Sequence, residues 1–213
     1  MRSLLNLLLF FALSLTACSM SEQDITTTDQ EKEEENYDHQ VLFIGNSLTY
    51  FNNLPDLVVA EAAKQKIKIK AKVIAYANYG LEDHWKEGNI QRSIKSGKYK
   101  FVIIQQGPSS QADGRSSLLE YGEKIGQLCE ANDAKLAYYM VWPSRTYYQT
   151  FDGVIKNYTD AAAANNALLC PVGKEWKAHF DTSNDFSYYG PDNFHPSKIG
   201  SQVAAEIIFD ALF

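Results

Sequence analysis

Residues 41–50 read VLFIGNSLTY, a short apolar run followed by an abrupt change of character. The run at 41–45 is rich in β-formers and ends at a glycine, which is typical of a strand buried on both faces of a parallel sheet. Beyond Ser47, apolar residues recur at helical spacing on a single stripe, namely Leu54, Leu57, Val58 and Ala62. The stretch therefore predicts a β-strand that leads directly into helical structure.

Strand and helix patterns continue to alternate to the end of the chain. Further strands are predicted at 68–77, 99–107, 135–142 and 167–173, with helices at 81–97, 116–132 and 149–166. A loop rich in Tyr, Asp and Gly follows, and 197–213 forms a closing amphipathic helix with Ile199 and Ile208 facing inward. Because parallel strands need crossover connections, the pattern predicts an α/β fold: a three-layer α/β/α sandwich with a five-stranded parallel sheet, flavodoxin-like in outline.

The amino-terminal part of the chain differs in composition from the rest. Residues 1–18, MRSLLNLLLFFALSLTAC, combine a basic start, an apolar run short for a membrane span and small residues before Cys18, as in an export signal. The last residues of this segment resemble the lipobox of bacterial lipoproteins, which implies lipidation of Cys18 and a protein anchored in the bacterial cell envelope. Residues 19–38 contain eight acids and one lysine and predict a disordered tether.

The remaining residues, 39–213, are predicted to form one domain without net charge. The chain has a formal net charge of −6, of which 19–38 contribute −7 and Arg2 contributes +1. This balance argues against a nucleic-acid partner, because no basic excess remains to neutralise phosphates. No Cys/His cluster predicts a metal site, and the spacing of Cys129 and Cys170 leaves open whether they pair. The sequence also leaves the oligomeric state open.

Polar residues and a glycine follow the predicted strands at the edge where parallel strands end. Ser47 alone is most simply an N-cap residue, but this edge also collects amides, a carboxylate and an imidazole. The residues are Ser47, Gly80, Gln105, Gln106, Asp192 and His195. A hydroxyl, a base, an orienting acid and hydrogen-bond donors are the components of acyl-transfer catalysis.

Three segments resemble the blocks of the SGNH (GDSL-like) hydrolases, namely GNSLT (45–49), Gly80 and DNFHPSKIG (192–200). The resemblance implies the flavodoxin-like SGNH hydrolase fold and a serine esterase that needs no cofactor and no metal. In this interpretation Ser47 is the nucleophile, His195 the general base and then acid, and Asp192 the residue that orients the imidazole. The backbone N–H groups of Ser47 and Gly80 would form the oxyanion hole.

Two positions depart from the family pattern. Asn46 stands where the first block has Asp, and its side chain is expected to support the turn. Gln105-Gln106 replaces the Gly-x-Asn-Asp pattern of the third block. Some carbohydrate acetylesterases carry Gln-Gly at this point, as Gln106-Gly107 does here. Either glutamine could donate to the oxyanion, and the following glycine slightly favours Gln106.

The resemblance and the envelope signal together predict the hydrolysis of O-acyl esters, above all O-acetyl esters on carbohydrate. Trp142 and Tyr50 are the predicted substrate contacts, because both lie at the same edge. Ordinary core packing of Trp142 and a plain surface position of Tyr50 are the alternatives. Two alternatives are a lipase or general carboxylesterase and a catalytically silent, carbohydrate-binding lipoprotein of the same fold. The expected partners are a small acyl ester or an acylated carbohydrate, and the membrane through the lipid at Cys18.

Overall fold

A computed structural model describes residues 36–213. The predicted signal peptide, Cys18 and the tether up to residue 35 lie outside the described residues. The strands are β1 (His39–Gly45), β2 (Ile69–Ala75), β3 (Phe101–Ile104), β4 (Lys135–Tyr139) and β5 (Leu168–Cys170). The helices are α1 (Ser47–Tyr50), α2 (Leu54–Lys64), α3 (Leu81–Glu87), α4 (Asn89–Ile94), α5 (Ala112–Glu130), α6 (Phe151–Ala164), α7 (Val172–Ser183) and α8 (Lys198–Leu212). Within 36–213, no helix combines the length and apolar character that crossing a bilayer requires.

The five strands form one parallel sheet in the order β2-β1-β3-β4-β5, with helices on both faces. The predicted fold class is therefore confirmed. From β1 the chain continues first to β2 on one side and then to β3 on the other, so the connections diverge at the carboxyl end of β1. Such a divergence opens the crevice where parallel α/β sheets bind ligands. Ser47, directly beyond β1, lies at this point.

The core is centred on the inner strands. The side chains of Val41, Leu42, Phe43 and Ile44 in β1 are fully buried, as expected for a strand covered on both faces. β2 lies at the edge of the sheet and exposes Lys70, Lys72 and Val73. Cys129 and Cys170 are both buried and unpaired, so no disulfide joins them.

Three details of the sequence-based interpretation are wrong. The helix predicted over 81–97 is divided into α3 and α4 at Gly88, which ends α3 in a left-handed conformation with φ of 75°. α7 lies where the sequence pattern predicts a loop from residue 174 onward, although its buried residues Val172, Trp176 and Phe180 recur every four positions. Ile199 is 54% exposed rather than inward, because Gly200 and Ser201 are the residues of the first turn of α8 that are buried, which leaves Ile199 on the outer side.

Candidate active site

The turn at Gly45–Ser47 continues the carboxyl end of β1. Asn46 caps α1, since its Oδ1 accepts a hydrogen bond from the N–H of Leu48 at 3.1 Å. The Nδ2 of the same side chain donates to the carbonyl oxygen of Tyr79 at 3.0 Å. Asn46 therefore fixes both the start of α1 and the loop that follows β2, and Ser47 is held between them.

Gln105, directly after β3, lies beneath this turn and is fully buried. Its Oε1 accepts hydrogen bonds from Asn46 N–H and from the Thr49 hydroxyl, both at 2.8 Å, while its Nε2 donates to the Gln106 carbonyl at 2.6 Å. A Cβ on Gly45 would overlap this amide, so only glycine permits the close approach. Both ends of the Gln105 amide are used inside the fold, and its predicted oxyanion role is therefore corrected to support of the turn.

Two hydrogen bonds link His195 to Ser47 and to Asp192. The Nδ1 atom of His195 lies 2.6 Å from Asp192 Oδ2, and its Nε2 atom lies 2.9 Å from Ser47 Oγ. An ionised carboxylate only accepts hydrogen bonds, so Nδ1 carries the proton and Nε2 is left to accept the proton of the Ser47 hydroxyl. The fold thus brings together three predicted catalytic side chains, two of which are 148 positions apart.

The Asp192 carboxylate is held by its own loop. Its Oδ1 accepts hydrogen bonds from the backbone N–H groups of Phe194 at 3.0 Å and His195 at 2.9 Å. Burial alone would raise the pKa of the Asp192 carboxyl, but the hydrogen bonds from the His195 ring and from these N–H groups outweigh burial and lower the pKa. The carboxylate is therefore ionised at neutral pH and accepts the His195 Nδ1–H.

Two residues just beyond α1 hold the histidine, and sequence reasoning missed both. Asn52 adopts a left-handed conformation with φ of 52°, and its Nδ2 donates to Pro196 O and Ser201 Oγ, each at 3.0 Å. The Phe51 ring stacks on the His195 imidazole with centroids 4.6 Å apart. The only signal in the sequence was their proximity to Ser47, because nothing local indicates a contact with residues near 196.

Gly80 and Gln106 meet beside the Gly45–Ser47 turn. Leu81 N–H donates to Gln106 Oε1 at 2.7 Å, and a Cβ on Gly80 would come within 3.0 Å of the same oxygen. Gly80 N–H donates to Asp83 Oδ2 at 2.8 Å, so this predicted oxyanion donor is engaged in the structure. By contrast, Ser47 N–H and Gln106 Nε2 have no hydrogen-bond acceptor within 36–213.

Comparison with solved structures relates this arrangement to a known fold. A protein from Slackia heliotrinireducens assigned as an SGNH hydrolase matches with a TM-score of 0.70 at 23% identity, over 84% of this chain and 100% of that one. The chain has the SGNH hydrolase fold. A lipase/acylhydrolase from Enterococcus faecalis is also similar, with a TM-score of 0.65, 14% identity, and coverage of 81% of this chain and 94% of that one.

A third similar structure is a catalytic mutant of an acetylxylan esterase from Geobacillus stearothermophilus. Its TM-score is 0.60 at 16% identity, over 83% of this chain and 95% of that one. No protein-family model and no curated protein matches the chain. At these identities the comparisons show the SGNH hydrolase fold, and the chemistry must be argued from the residues of this chain.

The predicted substrate contacts have different positions in this SGNH hydrolase fold. Trp142 is fully buried, and its ring stacks on Trp176 with centroids 3.5 Å apart. Its Nε1 donates to the carbonyl oxygen of Phe194 at 2.9 Å. Trp142 therefore belongs to the core and anchors the His195 loop, so the prediction that it contacts substrate is corrected. Tyr50, at the end of α1, is 39% exposed.

His84 is a second histidine close to the Gly45–Ser47 turn, but its contacts lie in the core. It is buried, and its Nε2 lies 2.8 Å from the carbonyl oxygen of Gly45. Burial lowers the pKa of the His84 imidazole, so the ring is neutral at pH 7 and Nε2–H donates to Gly45. His84 thus supports the end of β1.

Proposed function

We propose that this protein is a serine esterase that hydrolyses O-acyl esters, above all O-acetyl esters on carbohydrate, through an acyl-Ser47 intermediate. The observation that carries the proposal is the hydrogen-bonded chain from Ser47 through His195 to Asp192, with distances of 2.9 and 2.6 Å. A serine hydroxyl is a weak nucleophile until an adjacent base takes its proton. This chain of contacts provides the base and the carboxylate that orients it.

Acylation begins when Ser47 Oγ attacks the ester carbonyl carbon and its proton passes to His195 Nε2. The Asp192 carboxylate stabilises the resulting imidazolium through its hydrogen bond to Nδ1–H. The tetrahedral intermediate then collapses: the bond to the alcohol oxygen breaks, His195 gives its proton to that oxygen, and the acyl group stays on Oγ. In deacylation His195 takes a proton from water, the water oxygen attacks the acyl carbon, and the proton returns to Ser47 Oγ as the acid leaves.

The negative oxygen of the tetrahedral intermediate needs hydrogen-bond donors. Ser47 N–H and Gln106 Nε2 are the donors that we assign, since neither has an acceptor within 36–213. Removing one such donor typically lowers kcat by about 10²–10³-fold. Gly80 N–H can contribute only when its hydrogen bond to Asp83 opens. This chain would therefore rely more on the Gln106 side chain than on the second-block glycine.

Structural similarity to an acetylxylan esterase supports acetylated carbohydrate as the substrate class. Similarity to a lipase/acylhydrolase favours a lipase or general carboxylesterase as the second candidate. The two candidate activities differ in the acyl chain length of the preferred substrate, and rates on a panel of esters can measure that preference. We also propose that Cys18 carries a lipid that anchors the protein in the bacterial cell envelope, and the mass of the mature amino terminus tests this.

The test of the proposed activity is turnover of p-nitrophenyl esters of increasing acyl length and of acetylated sugars by the full chain. We expect acetate esters to be preferred, and Ser47→Ala to lower kcat by at least about 10³-fold. Ser183→Ala is a matched control, because Ser183 Oγ lies 3.4 Å from His179 Nε2 outside the site; it should keep full activity. A preference for long acyl chains supports the lipase. Absence of all turnover contradicts an esterase, and retained carbohydrate binding would then indicate a silent binder.

A further inference from the structure

The exposed large apolar side chains are concentrated at one edge of the sheet. Within 36–213 they are Tyr50, Phe51, Val73, Tyr76, Tyr147, Ile199 and Phe213. All except Val73 and Phe213 follow the carboxyl end of a strand or the His195 loop. Clusters of exposed apolar side chains on a soluble domain mark binding surfaces. We call Tyr50, Phe51, Tyr76 and Tyr147 the aromatic rim.

The aromatic rim extends to both sides of Ser47. Tyr76 directly follows β2, the neighbour of β1 on one side, and Tyr147 follows β4, two strands away on the other side. Tyr147 lies in the 3₁₀ segment that follows β4. Neighbouring strands are about 4.8 Å apart, so the carboxyl ends of β2 and β4 are separated by about 14 Å. Ser47 lies between them, and the rim is therefore wider than a small acetate ester.

Hydrogen bonds tie the segments of the rim to the catalytic turn and loop. Tyr76 N–H donates to the carbonyl oxygen of Gly45 at 3.2 Å, and Arg145 N–H, in the same 3₁₀ turn as Tyr147, donates to Asn193 O at 2.9 Å. The two tyrosine side chains are nevertheless open to solvent, at 44% for Tyr76 and 61% for Tyr147. They are thus held near the site; the Tyr76 ring also contacts Tyr79 and His84, and both tyrosine rings are partly open to a ligand.

The charges beside the rim favour a neutral carbohydrate over an anionic membrane. The segments 76–87, 143–150 and 184–198 carry five exposed carboxylates against three exposed cations: Glu82, Asp83, Glu87, Asp185 and Asp192, against Lys86, Arg145 and Lys198. Glu82 is paired with Lys86 at 2.6 Å, and the excess of two carboxylates remains. An excess of carboxylates is repelled by anionic headgroups. Tyrosine offers an apolar ring face together with a hydroxyl, which suits a sugar ring with apolar faces and polar edges.

We propose that the aromatic rim binds an acylated carbohydrate chain across Ser47, with Tyr76 and Tyr147 stacking on sugar rings on opposite sides of the scissile ester. The inference rests on the proposed esterase function and adds to it an extended binding site. The substrate is therefore an acylated oligosaccharide or polysaccharide, rather than a single sugar.

The test measures kcat/KM of the full chain on an acetylated monosaccharide and on acetylated xylo-oligosaccharides of increasing length. We expect kcat/KM to rise with length in the wild type. The ratio of the value for the longest oligosaccharide to that for the monosaccharide should fall about fivefold in Tyr76→Ala and in Tyr147→Ala, because aromatic stacking contributes modestly per ring. Phe213→Ala is the matched control, since Phe213 is 44% exposed near the start of β3, at the opposite edge; its ratio should be unchanged.

The results of this test distinguish a failure of the proposed esterase function from a failure of the extended binding site. Absence of turnover on every ester, the monosaccharide included, contradicts the proposed function. Turnover without any rise with length, or a rise that survives both tyrosine substitutions, overturns the extended site alone. Co-sedimentation of the Ser47→Ala protein with phosphatidylglycerol vesicles, lost in the tyrosine variants, would reassign the rim to a lipid surface and also overturn the proposal.

Discussion

Replacing Gln105 by methionine tests how strongly the Gln105 amide stabilises the Gly45–Ser47 turn. Methionine is similar in length and volume but has no amide, so the Asn46 N–H and the Thr49 hydroxyl lose their acceptor in a fully buried place. Each buried donor left unpaired costs about 1–3 kcal/mol, so the free energy of unfolding should fall by about 2–6 kcal/mol. Domains are typically stable by about 5–15 kcal/mol, so folded protein should remain for assay across much of this range.

The esterase activity of the Gln105→Met variant gives a second, independent measure of how the Gln105 amide holds the turn. A shift of the turn moves Ser47 relative to His195 Nε2, now 2.9 Å from its hydroxyl. Misplacement of a reacting group by about 1 Å can lower the rate by about 10²-fold, so we expect a kcat loss of this order with KM nearly unchanged. Urea unfolding and initial rates on p-nitrophenyl acetate measure the two effects. A loss of unfolding free energy below about 1 kcal/mol, or an effect on KM alone, would contradict the assigned role of the Gln105 amide.

Thr49→Val provides the matched control, because it removes only one of the two donors to Gln105 Oε1. Alone it should destabilise the protein less than Gln105→Met. Added to Gln105→Met it should have little further effect, since the hydroxyl has already lost its partner. A coupling free energy of about 1 kcal/mol between the two substitutions is therefore expected, and strict additivity would contradict the shared contact.

Three further predictions follow from the site and its surroundings. Gln106→Ala should lower kcat by about 10²–10³-fold as the loss of an oxyanion donor, whereas the exposed Gln111→Ala should not; equal rates would contradict the assignment. Burial raises the pKa of the Cys129 and Cys170 thiols to about 12. In a Cys18→Ser chain at pH 8, a disulfide reagent should therefore label these two thiols only when the protein unfolds. Rapid labelling of the native protein would contradict this expectation. Burial lowers the pKa of His84, so its contribution to stability is full above the unfolded pKa of about 6.5 and is lost as the pH falls towards the folded pKa. The free energy of unfolding should therefore decrease less between about pH 7 and pH 5 in His84→Gln than in the wild type, and parallel curves would exclude a buried neutral imidazole.

The strands could be predicted because their signal is local. Apolar runs such as 41–45 and 101–104 mark strands covered on both faces, and alternation with helices implies a parallel sheet. The same logic places Ser47 and the Asp192–His195 loop at the carboxyl edge. The helix α7 was not predicted, because it follows the short β5 directly and the sequence pattern places the aromatic residues of its inner face in a loop.

Contacts between distant segments could not be predicted in this way. The α/β fold class and the edge that carries the candidate site could be predicted from apolar periodicity, because that signal lies in neighbouring residues. The three residues assigned to catalysis followed from the segments that resemble SGNH hydrolase blocks. The folded structure was needed to show that Gln105 lies under the turn while Gln106 lies against Gly80, that Trp142 is buried, and that Gly80 N–H is bonded to Asp83. Side-chain direction and hydrogen-bond partner depend on packing between segments far apart in the chain, which no local pattern encodes.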